Sequence, residues 1–178
     1  MKTIYLAGGC FWCTEAIFQR IKGVSEVKPG FIDGHLKNPS YNEVCTGKTG
    51  HVEAVEVKYD SKKIPLKDLF FVFFNIHDPT TLNRQGNDIG TQYRSGIYFT
   101  ETEQEVTAIQ IIKNLDSQKI FDNPIVTEVK EATLFYKAEE HVDYYNQNKN
   151  QSYCNYVINP KVEKLKTHFS NLVKSDLS

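Results

Sequence analysis

A short apolar run, two glycines and a cysteine constrain the fold of this chain more than any other feature. Thr3-Ile4-Tyr5-Leu6-Ala7 has the length and composition of a buried strand, and Gly8-Gly9 breaks it. From Cys10 onward the apolar residues Phe11, Ile17, Phe18 and Ile21 recur at helical spacing. A strand turning through glycine into a helix places Cys10 where the helix begins. The first backbone N–H groups of a helix lack an intrahelical acceptor, and together with the helix dipole they favour an anion. A thiol held there is expected to titrate below its usual value of about 8.5, which makes Cys10 a candidate nucleophile. Without the glycines and the helix, Cys10 reads as a small inert core residue.

Cys10-Phe11-Trp12-Cys13 is also a C-x-x-C pair, and a strand before it with a helix after it fits a thioredoxin-like redox site. A zinc site needs two further ligands. Cys45 and Cys154 stand alone, with no second C-x-x-C and no H-x3-H, so no metal is expected. Leu6-Ala7-Gly8-Gly9-Cys10 imitates the end of a lipoprotein signal, but the residues before it fall short of the roughly 7 to 15 apolar positions that a signal requires. The expected location is the reducing cytoplasm, where four cysteines point to chemistry rather than to a disulfide scaffold. A net charge of −1 without a basic stripe argues against nucleic acid. No apolar run approaches the ~18 residues of a membrane span. The 178 residues, 40% hydrophobic and 24% charged, are expected to form a single catalytic domain, with 149–178 as its C-terminal segment.

The rest of the chain alternates irregularly between strand and helix patterns. Val24 to Gly34 reads as a strand, Pro39 to Gly47 as a short helical turn, and His51 to Tyr59 as a strand of period two. In that last strand Glu53 shares the apolar face with Val55, Val57 and Tyr59. If buried, its carboxyl stays protonated near neutrality and can act as an acid. If it sits at the strand end, it is a solvated rim residue. Pro65 to His77 predicts a strongly apolar helix, and the polar stretch from His77 to Ser95 is long enough to suggest function. A strand at 96–99 follows. Thr100 with Glu103 predicts a capping box for a helix carrying Val106, Ile109, Ile112 and Leu115. A strand at 125–129, a polar helix at 138–148 and a last helix from Asn159-Pro160 complete the pattern, which predicts an α+β two-layer sandwich with a mixed sheet.

Four blocks appear in order: Gly9-Cys10-Phe11-Trp12, Asn38-Pro39-Ser40-Tyr41, Thr49-Gly50-His51-Val52-Glu53-Ala54-Val55, and Gln85-Gly86-Asn87-Asp88-Ile89-Gly90-Thr91-Gln92-Tyr93-Arg94-Ser95. Together, and in this spacing, they resemble the A-type peptide methionine sulfoxide reductases. The resemblance implies a ferredoxin-like core and the reduction of methionine-S-sulfoxide, free or in proteins. It implies that Cys10 attacks the sulfoxide sulfur, that Glu53 gives the oxide its proton, and that Tyr41 and Tyr93 hydrogen-bond the oxygen. Asp88 would orient the site, and Phe11 with Trp12 would hold the methyl group. Cys10 would become a sulfenic acid that condenses with a second thiol.

For that second thiol the resemblance points first to Cys154, in Ser152-Tyr153-Cys154-Asn155. Cys13 stands where many members carry glycine; it is a relay, a second resolving thiol or a bystander. Cys45 reads as packing. Thioredoxin would reduce the final disulfide, with no bound cofactor, and the enzyme is expected to be a monomer. Three departures from the family pattern stand out: Asp33 where glycine is common, His141 one position early, and no proline or glycine ahead of Cys154. They bear on how the C-terminal segment folds over the site.

Overall fold

The computed structural model describes residues 1–176. The strands are β1 (Lys2–Gly8), β2 (Val24–Ile32), β3 (Val52–Tyr59), β4 (Arg84–Gln85), β5 (Asp88–Ile89), β6 (Ser95–Phe99), β7 (Glu128–Glu131) and β8 (Tyr136–Lys137). The helices are α1 (Phe11–Phe18), α2 (Tyr41–Cys45), α3 (Leu66–Ile76), α4 (Thr102–Ser117), α5 (Tyr144–Gln147) and α6 (Asn159–His168). One sheet runs in the order β7-β6-β1-β3-β2-β8, while β4 and β5 form a separate hairpin. Only β6 and β7 pair in parallel; the other neighbours are antiparallel. The four central strands, with α1 following β1 and α3 following β3, make the expected ferredoxin-like core of a mixed α+β sandwich. Among the described residues no helix is long and apolar enough to cross a membrane.

The sheet's two faces are unequal because the strands alternate. Ile4 and Leu6 of β1, Val55, Val57 and Tyr59 of β3, and Ile97 of β6 join the main core beneath the helices. Ala7, Ile32, Val52, Ala54 and Tyr98 form a smaller cluster, against which Ala132 and Phe135 pack. The apolar helix α3 buries Leu69, Phe70, Val72, Phe73, Phe74 and Ile76, since it packs on β1, α4 and α6 at once. Each such side chain contributes roughly 1.5–3 kcal/mol of transfer free energy.

Three predicted details differ. The capping box at Thr100 does not form: Glu101 precedes α4, and Gln104, not Glu103, reaches back to the Thr100 N–H at 2.8 Å. Gln104 is fully buried and also bonds the Thr3 carbonyl and the Tyr59 hydroxyl, so tertiary contacts override the local motif. The predicted polar helix at 138–148 is instead a 3-10 turn at 139–141 and the single-turn α5, because Val142 is extended and Asp143 left-handed at φ 60°. The strand expected at 125–129 lies at Glu128–Glu131. The last helix begins at Asn159 as expected, but continues a π-helical turn over Cys154–Ile158. The expected C-terminal segment includes residues 177 and 178, which lie outside the described residues.

Candidate active site

Where β1 passes into α1, Gly9 is left-handed at φ 93°, and a Cβ there would meet the Gln85 side chain at 2.6 Å. Only glycine fits that turn. Cys10 follows as the residue capping α1, 8% exposed. Its thiol does not titrate low as its position predicts. Burial pushes it well above the ordinary value, the hydrogen bond with Cys13 and the Glu53 carboxyl push the same way, and the Trp12 N–H offsets only part. A helix start favours a thiolate where water can help; deep burial favours the thiol. Cys13 lies one turn along α1, its N–H donating to the Cys10 carbonyl at 3.1 Å. The hydrogen bond with Cys10 draws its thiol down to about 7.

Glu53 lies on β3 opposite Phe31 of β2, on the face it shares with Val55, Val57 and Tyr59. It is 1% exposed, so it is not a solvated rim residue. Its Oε1 accepts the Phe11 N–H at 3.1 Å, and its Oε2 has no hydrogen-bond partner. Burial pushes the carboxyl up to about 8, against the pull of the Phe11 N–H. At neutral pH the group is an un-ionised acid. Tyr41 opens α2, which is fixed by a capping box between Ser40 and Glu43. Tyr93 ends the 3-10 turn Thr91–Tyr93, which Arg94 ties down by donating to the Thr91 carbonyl at 2.8 Å. Burial, and then the Glu53 charge, raises both phenols, so each remains a hydrogen-bond donor at neutral pH. Cys45, expected to fill core, is exposed instead.

The aromatic wall is more crowded than the sequence suggests. Phe11 is buried against Phe31 and Tyr41. Trp12 stacks on Tyr144 at 3.8 Å and meets Tyr153 edge-on. His141 stands among them, 4.4 Å from the Tyr41 ring and 5.4 Å from Phe11. Its Nδ1 accepts the Trp12 indole N–H at 3.1 Å, which leaves any ring proton of the neutral form on Nε2. Burial lowers its pKa. The displaced histidine is visible in the sequence; its place in the aromatic wall is not.

The C-terminal segment closes the site. Tyr153 donates its hydroxyl proton to Asp88 Oδ2 at 2.7 Å and lies 3.9 Å from the Cys13 sulfur. A cavity of about 320 Å3 opens here, lined among others by Cys10, Gln85, Asp88, Tyr153 and Lys161. Cys154 does not line it. That thiol is wholly buried in the turn after Tyr153, and burial raises its pKa. Glu15 of α1, also 1% exposed, accepts the backbone N–H groups of Asp143 and Tyr144 at 3.0 and 3.3 Å, holding the segment down. Neither Glu15 nor Tyr153 is marked by a local motif. Cys10, Glu53, Tyr41, Tyr93, Asp88, Phe11 and Trp12 thus converge on one place, with a thiol, a neutral acid and two phenols beside an apolar wall.

A family model described as peptide methionine sulfoxide reductase matches residues 2–173. The chain belongs to the peptide methionine sulfoxide reductase family. It is 49% identical over 176 residues to the peptide methionine sulfoxide reductase MsrA of Chromobacterium violaceum, covering 98% of this chain and 100% of that one. The crystal structure of reduced Mxr1 from Saccharomyces cerevisiae superposes with a TM-score of 0.78 at 36% identity, covering 86% of this chain and 88% of the other. Mxr1 in complex with Trx2 matches with a TM-score of 0.56 at 28% identity, covering 78% and 81%. The chain is therefore an oxidoreductase acting on methionine sulfoxide through thiol chemistry.

Proposed function

We propose that this chain reduces the S epimer of methionine sulfoxide, in peptides and as the free amino acid, with Cys10 as nucleophile and Glu53 as acid. Cys10 forms a bond to the sulfoxide sulfur while Glu53 delivers its proton to the oxide. Cleavage of the S–O bond, with the hydroxyl passing to Cys10, releases the thioether and leaves a sulfenic acid. The Cys10 thiol proton restores Glu53. The observation that carries this reading is the buried, un-ionised Glu53, whose Oε1 accepts the N–H of Phe11, the residue after Cys10, while its Oε2 has no partner. Tyr41 and Tyr93 hold the oxide, and Phe11 with Trp12 holds the methyl group. Exchanging oxide and methyl would leave buried donors unpaired, which selects one epimer. Asp88 orients the wall through Tyr153.

The sulfenic acid condenses with a second thiol of the chain, Cys154 or Cys13, and thioredoxin reduces the resulting disulfide, without a bound cofactor. The complex of the related Mxr1 with Trx2 supports that partner. The chain acts as one catalytic unit, because Tyr153 of the C-terminal segment is built into the site. Turnover of S- and R-epimer peptides, with thioredoxin, thioredoxin reductase and NADPH, tests the reading. Reduction of the S epimer alone is expected; equal rates on both would overturn the two-sided site.

A further inference from the structure

One ring of the aromatic wall is a base. His141 stands among Phe11, Trp12, Tyr41 and Tyr144, with ring-centre separations of 5.4, 5.9, 4.4 and 6.2 Å. Its Nδ1 accepts the Trp12 indole N–H at 3.1 Å, the one hydrogen bond of that indole among the described residues. The remaining partners of Trp12 are the Tyr144 ring at 3.8 Å and the Tyr153 edge at 5.7 Å, which cover the indole without fixing its rotation. An indole donates and cannot accept, so the bond exists only while Nδ1 is bare. Neutral His141 with its proton on Nε2 meets that condition. The imidazolium carries N–H on both nitrogens; it sets donor against donor and leaves the half-buried indole N–H without a partner.

We propose that His141 is the positioning residue for Trp12: neutral, it fixes the indole against which the substrate's methyl group packs, and protonated, it releases the indole and weakens substrate binding. The inference rests on the reading of Trp12 as part of the methyl's wall. The titratable groups around the ring are Tyr41 from α2, Tyr144 from α5 and Glu140 from its own turn, while α1 presents only Phe11 and Trp12. Burial lowers the His141 pKa, and the Glu140 charge offsets only part of that. Binding is therefore intact at neutral pH and is lost as pH falls through a midpoint below the ordinary histidine value of about 6.5. Two further acids lie one bond away. Glu53, on the Phe11 N–H, titrates at about 8 and keeps its proton throughout this range. Glu15, on the Tyr144 N–H, is raised by burial to about 7 and changes charge within it, so the test separates the two.

Trp12 is the chain's one tryptophan, so the intrinsic fluorescence of the reduced full chain reports this contact. His141→Asn keeps an acceptor near the place of Nδ1 that cannot titrate; His141→Phe keeps a ring and removes the acceptor. Glu15 is intact in both. Wild-type emission should show a transition with its midpoint below about pH 6.5, absent from both variants. A transition that persists in them would overturn the proposal. In single turnovers with an S-epimer peptide, the half-saturating concentration of wild type should rise about fivefold more than that of His141→Asn between pH 7 and 5. At pH 7 His141→Phe should show that same increase of about fivefold, with its limiting rate within about twofold of wild type. Equal half-saturation in His141→Phe and wild type, or a loss confined to the limiting rate, would overturn the role of His141. Trp12→Ala tests the reading beneath it: unchanged half-saturation there would remove Trp12 from the methyl's wall, a failure distinct from that of His141.

Discussion

Replacing Glu53 by glutamine separates the proton from the shape of the side chain. The amide oxygen still accepts the Phe11 N–H that Oε1 accepts at 3.1 Å, so the site keeps its geometry. The folded chain holds the Glu53 proton up to pH about 8. The unfolded chain releases it near its usual value of about 4.3. Between pH 6 and 8 the folded state therefore binds one proton more than the unfolded state, and stability falls as pH rises, by about 1.4 kcal/mol per unit. Over that window wild type should lose about 2 to 3 kcal/mol that the Glu53→Gln chain does not lose. Glu15, raised by burial to about 7, contributes equally to both chains and cancels in the difference. Urea denaturation at a series of pH values reads that difference. The same substitution should slow methionine formation in a single turnover by about a hundredfold or more, the usual scale of a positioned acid. Parallel stability curves would refute the burial argument, and an undiminished rate would refute the acid role.

Other substitutions follow from the same geometry. Tyr41→Phe and Tyr93→Phe should each lower the single-turnover rate by about a hundredfold, because each removes a donor aimed at developing charge; rapid-quench kinetics with an S-epimer peptide reads this. Asp33→Gly relieves a left-handed residue at φ 68° but removes the Asp33 carboxylate from Arg94 and Lys130. The loss should win by about 1 kcal/mol in urea denaturation. Glu15→Ala should destabilise by about 2 kcal/mol through two orphaned backbone donors, and should raise hydrogen exchange across residues 139–153.

The parts of this site that were legible in the sequence are those that depend on local rules. Period-two alternation placed Glu53 among Val55, Val57 and Tyr59, and the glycine break placed Cys10 at a helix start; both stand. The titration of Cys10 was misjudged for a physical reason. The helix start is local, but the burial that overrides it comes from a core cluster that Cys10 shares with residues as distant as Leu165 and Val173, which no window of sequence contains. Thr100 failed as a cap because Gln104 serves Thr3 and Tyr59, both remote in the chain. Glu15 looked like any helical glutamate until its two acceptors met Asp143 and Tyr144, more than a hundred residues away. His141 and Tyr153 belong to the site through the same return of the chain.

The most direct test of the account is stoichiometric. Reduced enzyme, with Cys10 either free or alkylated beforehand, is mixed with excess S- or R-epimer peptide, without reductant, and methionine is counted. The account predicts a rapid burst of methionine from the S epimer, abolished by prior alkylation of Cys10, and none from the R epimer. A burst from the R epimer, or methionine formed by enzyme whose Cys10 is alkylated, would contradict it.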